Sequence, residues 1–167
     1  METKNLTKCA LVAALTFIFT YTFKINVNNG YVHLGDCFIF VGVLVLGRKK
    51  GALAGAIGAA LADIIGGYIM WAGPTFFIKL IMAYVMGTVV EVFMKDVKFN
   101  YVLGAAIGGM VQIVLYTTIN ALVYGGAYAI VSCAADTVQS AVGVAAASVV
   151  ITLLKKTKTL DYIKKEP

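Results

Sequence analysis

Charge is what this sequence has least of. Of its 167 residues only 13% are Asp, Glu, Lys or Arg, about half the quarter that soluble domains carry. It has one histidine and three cysteines. Cys9, Cys37 and Cys133 are scattered through apolar segments without metal or redox spacing, which excludes a disulfide scaffold and reads as buried thiols. There is no His-x-x-x-His, no Cys-x-x-Cys and no nucleophile elbow, so metal hydrolysis and Ser-His catalysis have no candidate groups. No Gly-rich loop ends in Gly-Lys-Ser/Thr, so ATP binding by that route is excluded. No cofactor, metal site or enzymatic activity is expected.

What is there is apolar. Hydrophobic residues make up 60% of the chain and the mean hydropathy is +0.89. A soluble chain this short has too little interior to hide that surface. A bilayer span uses about 20 apolar residues, so six spans account for roughly 120 positions and leave only short loops. The expected fold class is all-α: a single integral membrane domain, residues 1–167, built as a six-helix bundle. The spans are placed at about 6–23, 36–47, 51–70, 75–94, 101–124 and 129–154. The second is short and must tilt, begin inside the preceding loop or be shielded by protein. Tight turns are expected at Trp71–Pro74 and at Gly125-Gly126, and the first apolar run reads as a retained span.

The net charge of +6 is not spread like a nucleic-acid footprint. With Lys4 and Lys8 placed inside, alternate gaps carry Arg48, Lys49 and Lys50, then Lys95 and Lys98, then Lys155, Lys156, Lys158, Lys164 and Lys165. The other gaps hold essentially only Lys24. That is the pattern of positively charged cytoplasmic loops. It places both termini in the cytoplasm and the chain in the plasma membrane, against lipid and without a nucleic-acid partner.

Small residues mark where membrane helices approach closely. Gly51, Gly55 and Ala59, and again Gly104 and Gly108, read as packing inside the bundle. Ala10 and Ala14, one turn apart with Thr7, serve either internal packing or a docking face for another membrane protein.

Ionisable groups inside a span are costly and face a cavity or a partner. At 1.5 Å per residue, Asp63 lies about 18 Å along the third span, Lys79 about 6 Å into the fourth and Asp136 roughly 10 Å into the sixth, all measured to the outer half. Lys79 and Asp136 share a depth and have opposite charge, so they either pair or bind ligand. Asp63 is read as a helix–helix hydrogen-bond partner and Glu91 as interfacial. Gln112, Tyr116 and Asn120 form one stripe, and Ser132, Asp136 and Ser140 another with Gln139 beside it. The first outer loop adds Asn28, Asn29, His33 and Asp36. His33 is a ligand group or a local hydrogen-bond partner, and Asp36 a ligand group or the N-cap of the second span. Tyr31, Tyr68, Trp71, Tyr84, Tyr116 and Tyr124 offer stacking faces. Together these suit capture of a small, hydrogen-bonding heterocyclic solute from outside.

The run Gly30-Tyr31-Val32-His33-Leu34-Gly35-Asp36, then Gly51 to Gly58, Ala62-Asp63, Gly67-Tyr68, Pro74-Thr75 and Ile78-Lys79, resembles the S components of energy-coupling factor (ECF) vitamin transporters. The likeness is to the branch with riboflavin-, hydroxymethylpyrimidine- and pyridoxine-type members. It implies a binding subunit for a small vitamin, pyridoxine or hydroxymethylpyrimidine before riboflavin, working with a transmembrane T component and two cytoplasmic ATPases. It also implies that Ala10 and Ala14, matching the family's Ala-x-x-x-Ala element, contact the T component. The expected ligand contacts are Lys79, Asp136, Gln112, Tyr116, Asn120 and His33, with Asn28, Asn29 and Gln139 behind them. The rivals are a self-sufficient carrier using Asp63 or Asp136 as a proton site, and an intramembrane enzyme, for which no constellation exists.

Overall fold

The computed structural model describes residues 3–27 and 30–165. The chain begins with α1 (Thr3–Thr22) and then forms a two-stranded antiparallel hairpin, β1 (Lys24–Val27) and β2 (Gly30–His33). It continues through α2 (Gly35–Ile65), α3 (Ile69–Thr88) with a π-helical turn at Val89–Phe93, α4 (Asn100–Tyr124), α5 (Gly126–Lys156) and the short α6 (Thr159–Lys165). The helical class is as the composition requires. The hairpin replaces the loop expected there, pairing Lys24 with His33 and Asn26 with Tyr31. Asn28 and Asn29 lie outside the described residues.

α2 is two helices joined at a fold. Gly47 sits at φ 81°, ψ 165°, in the left-handed half of backbone space that glycine enters at little cost. The chain reverses there. A side-chain carbon on Gly51 would meet the Val43 backbone at 2.5 Å, and one on Gly55 would meet Ile39 at 2.8 Å. The segment 35–46 is therefore antiparallel to 48–65. The reversal leaves the Arg48 N–H without a helical partner, and Glu91 Oε1 accepts it at 2.8 Å. Twelve residues rise about 18 Å, short of a bilayer core. The segment 35–46 is surrounded by protein, with Asp36, Cys37, Ile39, Phe40 and Val43 all buried.

Glycine lets these helices touch. Gly58 faces the Ala13 carbonyl and Thr16 of α1, Gly42 faces Val12, and Gly104 and Gly108 receive Met86 and Met82 of α3. The turn expected at Trp71–Pro74 lies earlier, at Gly66 to Tyr68, where Gly67 has φ 86°. Trp71 and Pro74 belong to α3, Pro74 lying inside the helix as its sixth residue. At its far end the π-helical turn frees carbonyls, and Asn100 Nδ2 donates to those of Val90 and Met94 at 3.4 and 3.0 Å. Of the cysteines only Cys37 is buried; Cys9 and Cys133 are half-buried.

The molecule exposes large apolar side chains and buries polar ones beside its apolar core. Met70 and Leu122 are more than four-fifths exposed, while Lys79, Asp36 and Gln112 have no exposed surface. Four helices among the described residues are long and apolar enough to cross a membrane: α1, α3 with its π turn, α4 and α5. Hydroxyls on them bond back to carbonyls four residues earlier, as for Thr118, Thr137, Ser148 and Thr152, so these donors do not meet an apolar medium alone. Alternating helix direction puts the hairpin, Gly67 and Gly125 at one end of the bundle. Arg48, Lys95, Lys98 and Lys155 lie at the other, where Lys8 Nζ reaches the Ile163 carbonyl at 2.8 Å.

Candidate functional site

The hairpin end holds a cavity of about 80 Å³. The hairpin closes it with Tyr31, Val32 and His33, and 48–65 contributes Asp63. The start of α3 contributes Trp71 and Thr75, α4 contributes Tyr116 and Asn120, and α5 contributes Tyr128, Ser132, Asp136 and Gln139. Tyr68 completes the aromatic wall and lies 4.9 Å from Tyr31 between ring centres.

Of the residues singled out in the sequence, His33, Tyr116, Asn120, Asp136 and Gln139 meet at this cavity. Lys79 and Gln112 do not. They lie beneath it in a polar core centred on Asp36. Lys79 Nζ is 2.5 Å from Asp36 Oδ1 and also donates to Gln112 Oε1. Asp36 Oδ2 accepts from Gln112 Nε2 at 3.0 Å and Gln139 Nε2 at 2.9 Å. Gln112 Nε2 also reaches Ser140 Oγ at 2.7 Å. Of the two readings of Lys79 and Asp136, pairing or ligand binding, the pairing is not made: segment 35–46 brings Asp36 against Lys79 instead. Asp36 is not a cap either, because the N-cap position belongs to Leu34.

The hairpin is tied to this core. Gln139 Oε1 accepts the His33 N–H at 3.2 Å, and His33 Nδ1 accepts the Gly35 N–H at 3.1 Å. Burial lowers the His33 pKa to about 4, with nearby Lys79 acting in the same direction and Asp36 against it. The imidazole is thus neutral at physiological pH, with its proton on Nε2. Tyr31 donates its hydroxyl to Asp63 Oδ1 at 2.5 Å. Its own pKa is driven up, first by burial and then by the Asp63 charge. Asp63 therefore partners the hairpin as well as Thr75 of the neighbouring helix α3, and it lines the cavity. The Lys24 ammonium sits over the rings of Tyr21, Tyr31 and Tyr68 at 4.8, 5.3 and 5.7 Å. Tyr84 leaves the set of stacking faces, since it lies under Arg48 at the opposite end. Tyr128, not singled out in the sequence, joins the wall beside Tyr124; its position in the outer turn of α5 was the available signal.

Three buried acceptors around the cavity have no hydrogen-bond partner: Asp63 Oδ2, Asn120 Oδ1 and Asp136 Oδ2. Unmet acceptors in a concave, aromatic-lined space call for an explanation, since buried polar groups are ordinarily paired.

Residues 1–156 match the family described as ECF-type riboflavin transporter, S component. The chain belongs to that family. This S component is thus a membrane-embedded transporter subunit. It is 29% identical to the thiamine precursor transporter HmpT of Lactococcus lactis subsp. cremoris (strain MG1363), over 99% of this chain and 98% of that protein. It is 34% identical to an uncharacterised protein of Pyrococcus woesei, over 72% of this chain and 79% of that one. No solved structure matches. Family membership also gives the α1 surface a context: Ala10 and Ala14 are both exposed, while Val12, Thr16 and Thr20 form the buried face. The small-residue pair thus lies outside the bundle.

Proposed function

We propose that this S component is the substrate-binding subunit of an ECF-type importer for a small water-soluble vitamin or precursor. The observation that carries the reading is the hairpin-end cavity, whose aromatic walls hold three buried acceptors without partners. A pyridoxine- or hydroxymethylpyrimidine-sized ligand is the first candidate and riboflavin the second. Contact is assigned to Tyr116, Asn120, Asp136, His33 and Gln139, with Lys79 and Gln112 as the buried support beneath them, and Asn28 and Asn29 stay candidates on the sequence alone.

In this reading the chain crosses the membrane six times, the segments 35–46 and 48–65 each counting as one crossing. The basic end and both termini face the cytoplasm, so the cavity faces outward. The mechanism is binding and translocation without covalent chemistry. The hairpin covers the site, Tyr31 and Asp63 hold the cover down, and ligand donors meet the free acceptors. Energy comes from a T component and two ATPases, with Ala10 and Ala14 on the docking face.

The test is reconstitution. Uptake of the small molecule that copurifies with the chain, identified by mass spectrometry, should require the T component and ATPases. Uptake by the purified chain alone in liposomes under a proton gradient would establish the self-sufficient carrier instead.

A further inference from the structure

The site's hydrogen-bond polarity specifies more than its size does. Asn120 Nδ2 donates to Ser132 Oγ at 2.9 Å, and Ser132 spends its own hydrogen on the Ala129 carbonyl at 3.1 Å. That chain fixes the amide: its nitrogen must face Ser132, so Oδ1 is left as an acceptor, buried and unmet. Asp136 lies four residues beyond Ser132 on α5, about 6 Å along the axis, and its Oδ2 is also buried and unmet. Asp63 adds a second carboxylate. Its Oδ1 is taken by Tyr31, and Thr75, which accepts from Tyr116 at 3.2 Å, has its hydroxyl hydrogen free to turn toward Asp63. No lysine or arginine lines the cavity among the described residues; Lys79 is committed to Asp36 and Gln112 below it.

Two carboxylates and an amide oxygen, with no lining cation, define a ligand by what it donates. We propose that the cavity selects an amino-substituted nitrogen heterocycle, neutral or cationic, whose exocyclic amino group is shared between Asn120 Oδ1 and Asp136 Oδ2 while its ring lies among Tyr68, Trp71 and Tyr116. The inference rests on the cavity being the ligand site, and it disfavours two alternatives. An isoalloxazine presents mainly acceptors along its polar edge and would leave these oxygens unmet. A phosphate ester would bring negative charge beside Asp63 and Asp136, while neither nearby cation lines the cavity: Lys24 lies over the Tyr31 and Tyr68 rings and Lys79 is held by Asp36.

Calorimetric titration of the ligand-free full chain in nanodiscs tests this. The probes are 4-amino-5-hydroxymethyl-2-methylpyrimidine, its 4-oxo counterpart, its phosphate monoester and riboflavin. The amino compound should bind most tightly, with the 4-oxo compound weaker by about 10- to 100-fold, the cost of facing acceptor with acceptor. Asp136→Asn, whose amide can donate, should shrink or reverse that amino-to-oxo ratio. The wild-type comparison stands even if the variant fails to fold. Equal affinity for the amino and oxo compounds, tighter binding of the phosphate ester, or tighter binding of riboflavin would overturn the selectivity while leaving the binding-subunit reading intact. An unchanged ratio in a folded Asp136→Asn would overturn the assignment to Asp136. Failure of all four probes, with a different class of molecule copurifying, would overturn both.

Discussion

Lys79 and Asp36 lie 43 residues apart in sequence and meet at 2.5 Å with neither side chain exposed. Each charge is compensated by the other and by the amides of Gln112 and Gln139, with the Tyr116 ring 5.5 Å from the Lys79 ammonium. Removing one partner strands the other charge in a medium that cannot solvate it. Lys79→Met or Asp36→Leu alone should destabilise the fold by about 3–5 kcal/mol. The double variant should cost clearly less than the sum, read as a double-mutant cycle on thermal unfolding in detergent. Additive losses would show that the pair is not coupled.

His33 makes stability pH-dependent in one direction. Its folded pKa is about 4 against an ordinary 6.5, lowered chiefly by burial. Between those values the unfolded chain binds a proton that the folded chain does not, so stability falls as pH drops through this window. Above about pH 7 both states are neutral and the contribution is complete. The melting temperature should decline by several degrees between pH 6.5 and 4, and less in His33→Gln. A decline of equal size in the variant would place its origin elsewhere.

Glycines at helix contacts should be intolerant and those in open space permissive. A Cβ on Gly58 would collide with the Ala13 carbonyl of α1, whereas Gly73 has nothing within 4 Å. Gly58→Leu should lower stability by about 2 kcal/mol or more through overpacking. Gly73→Ala should be neutral or slightly stabilising. Yield and melting temperature of the purified variants measure both.

The α1 surface separates folding from assembly. Ala10 and Ala14 are exposed and lie off the buried face of α1, so Ala10→Trp with Ala14→Trp should leave melting temperature and ligand affinity unchanged. Copurification with the T component should fall at least about tenfold, since bulk at a small-residue face blocks close helix approach. Loss of ligand binding in the same variant would contradict the separation.

Tyr31→Phe removes the donor that holds the hairpin to Asp63. One buried charge-assisted hydrogen bond contributes about 1.5–3 kcal/mol, so bound ligand should dissociate roughly 10- to 100-fold faster in a stopped-flow chase. An unchanged rate would mean the hairpin is held by other contacts.

The legibility of this fold followed the range of the interactions involved. Small residues at Gly51, Gly55, Gly104 and Gly108 announced close packing because helical spacing is local. The short run 36–47 already implied shielding by protein. Gly47 as a reversal was visible only as a basic triplet beside a glycine, and the hairpin at 24–33 was taken for a loop because four-residue strands carry too few alternations to register. Among site residues, the stripes holding Tyr116, Asn120 and Asp136 were readable from their period. Asp36 was not, since equal depth suggested Asp136 as the partner of Lys79, and depth says nothing of which helix lies alongside.

The sequence by itself determined the solvent. With charge so scarce and so clustered, the chain could bury its apolar surface only against lipid, and its basic residues had to collect at one end of the bundle. Which polar residues neutralise one another, and which keep an open valence toward a ligand, was decided only by tertiary structure. An ion pair or a hydrogen bond forms over about 3 Å, and no spacing along a chain can set a distance between separate helices. The fold at Gly47 set it: by turning Asp36 onto Lys79, it left Asp136 Oδ2 without a partner at the cavity, beside the unmet Oδ1 of Asn120.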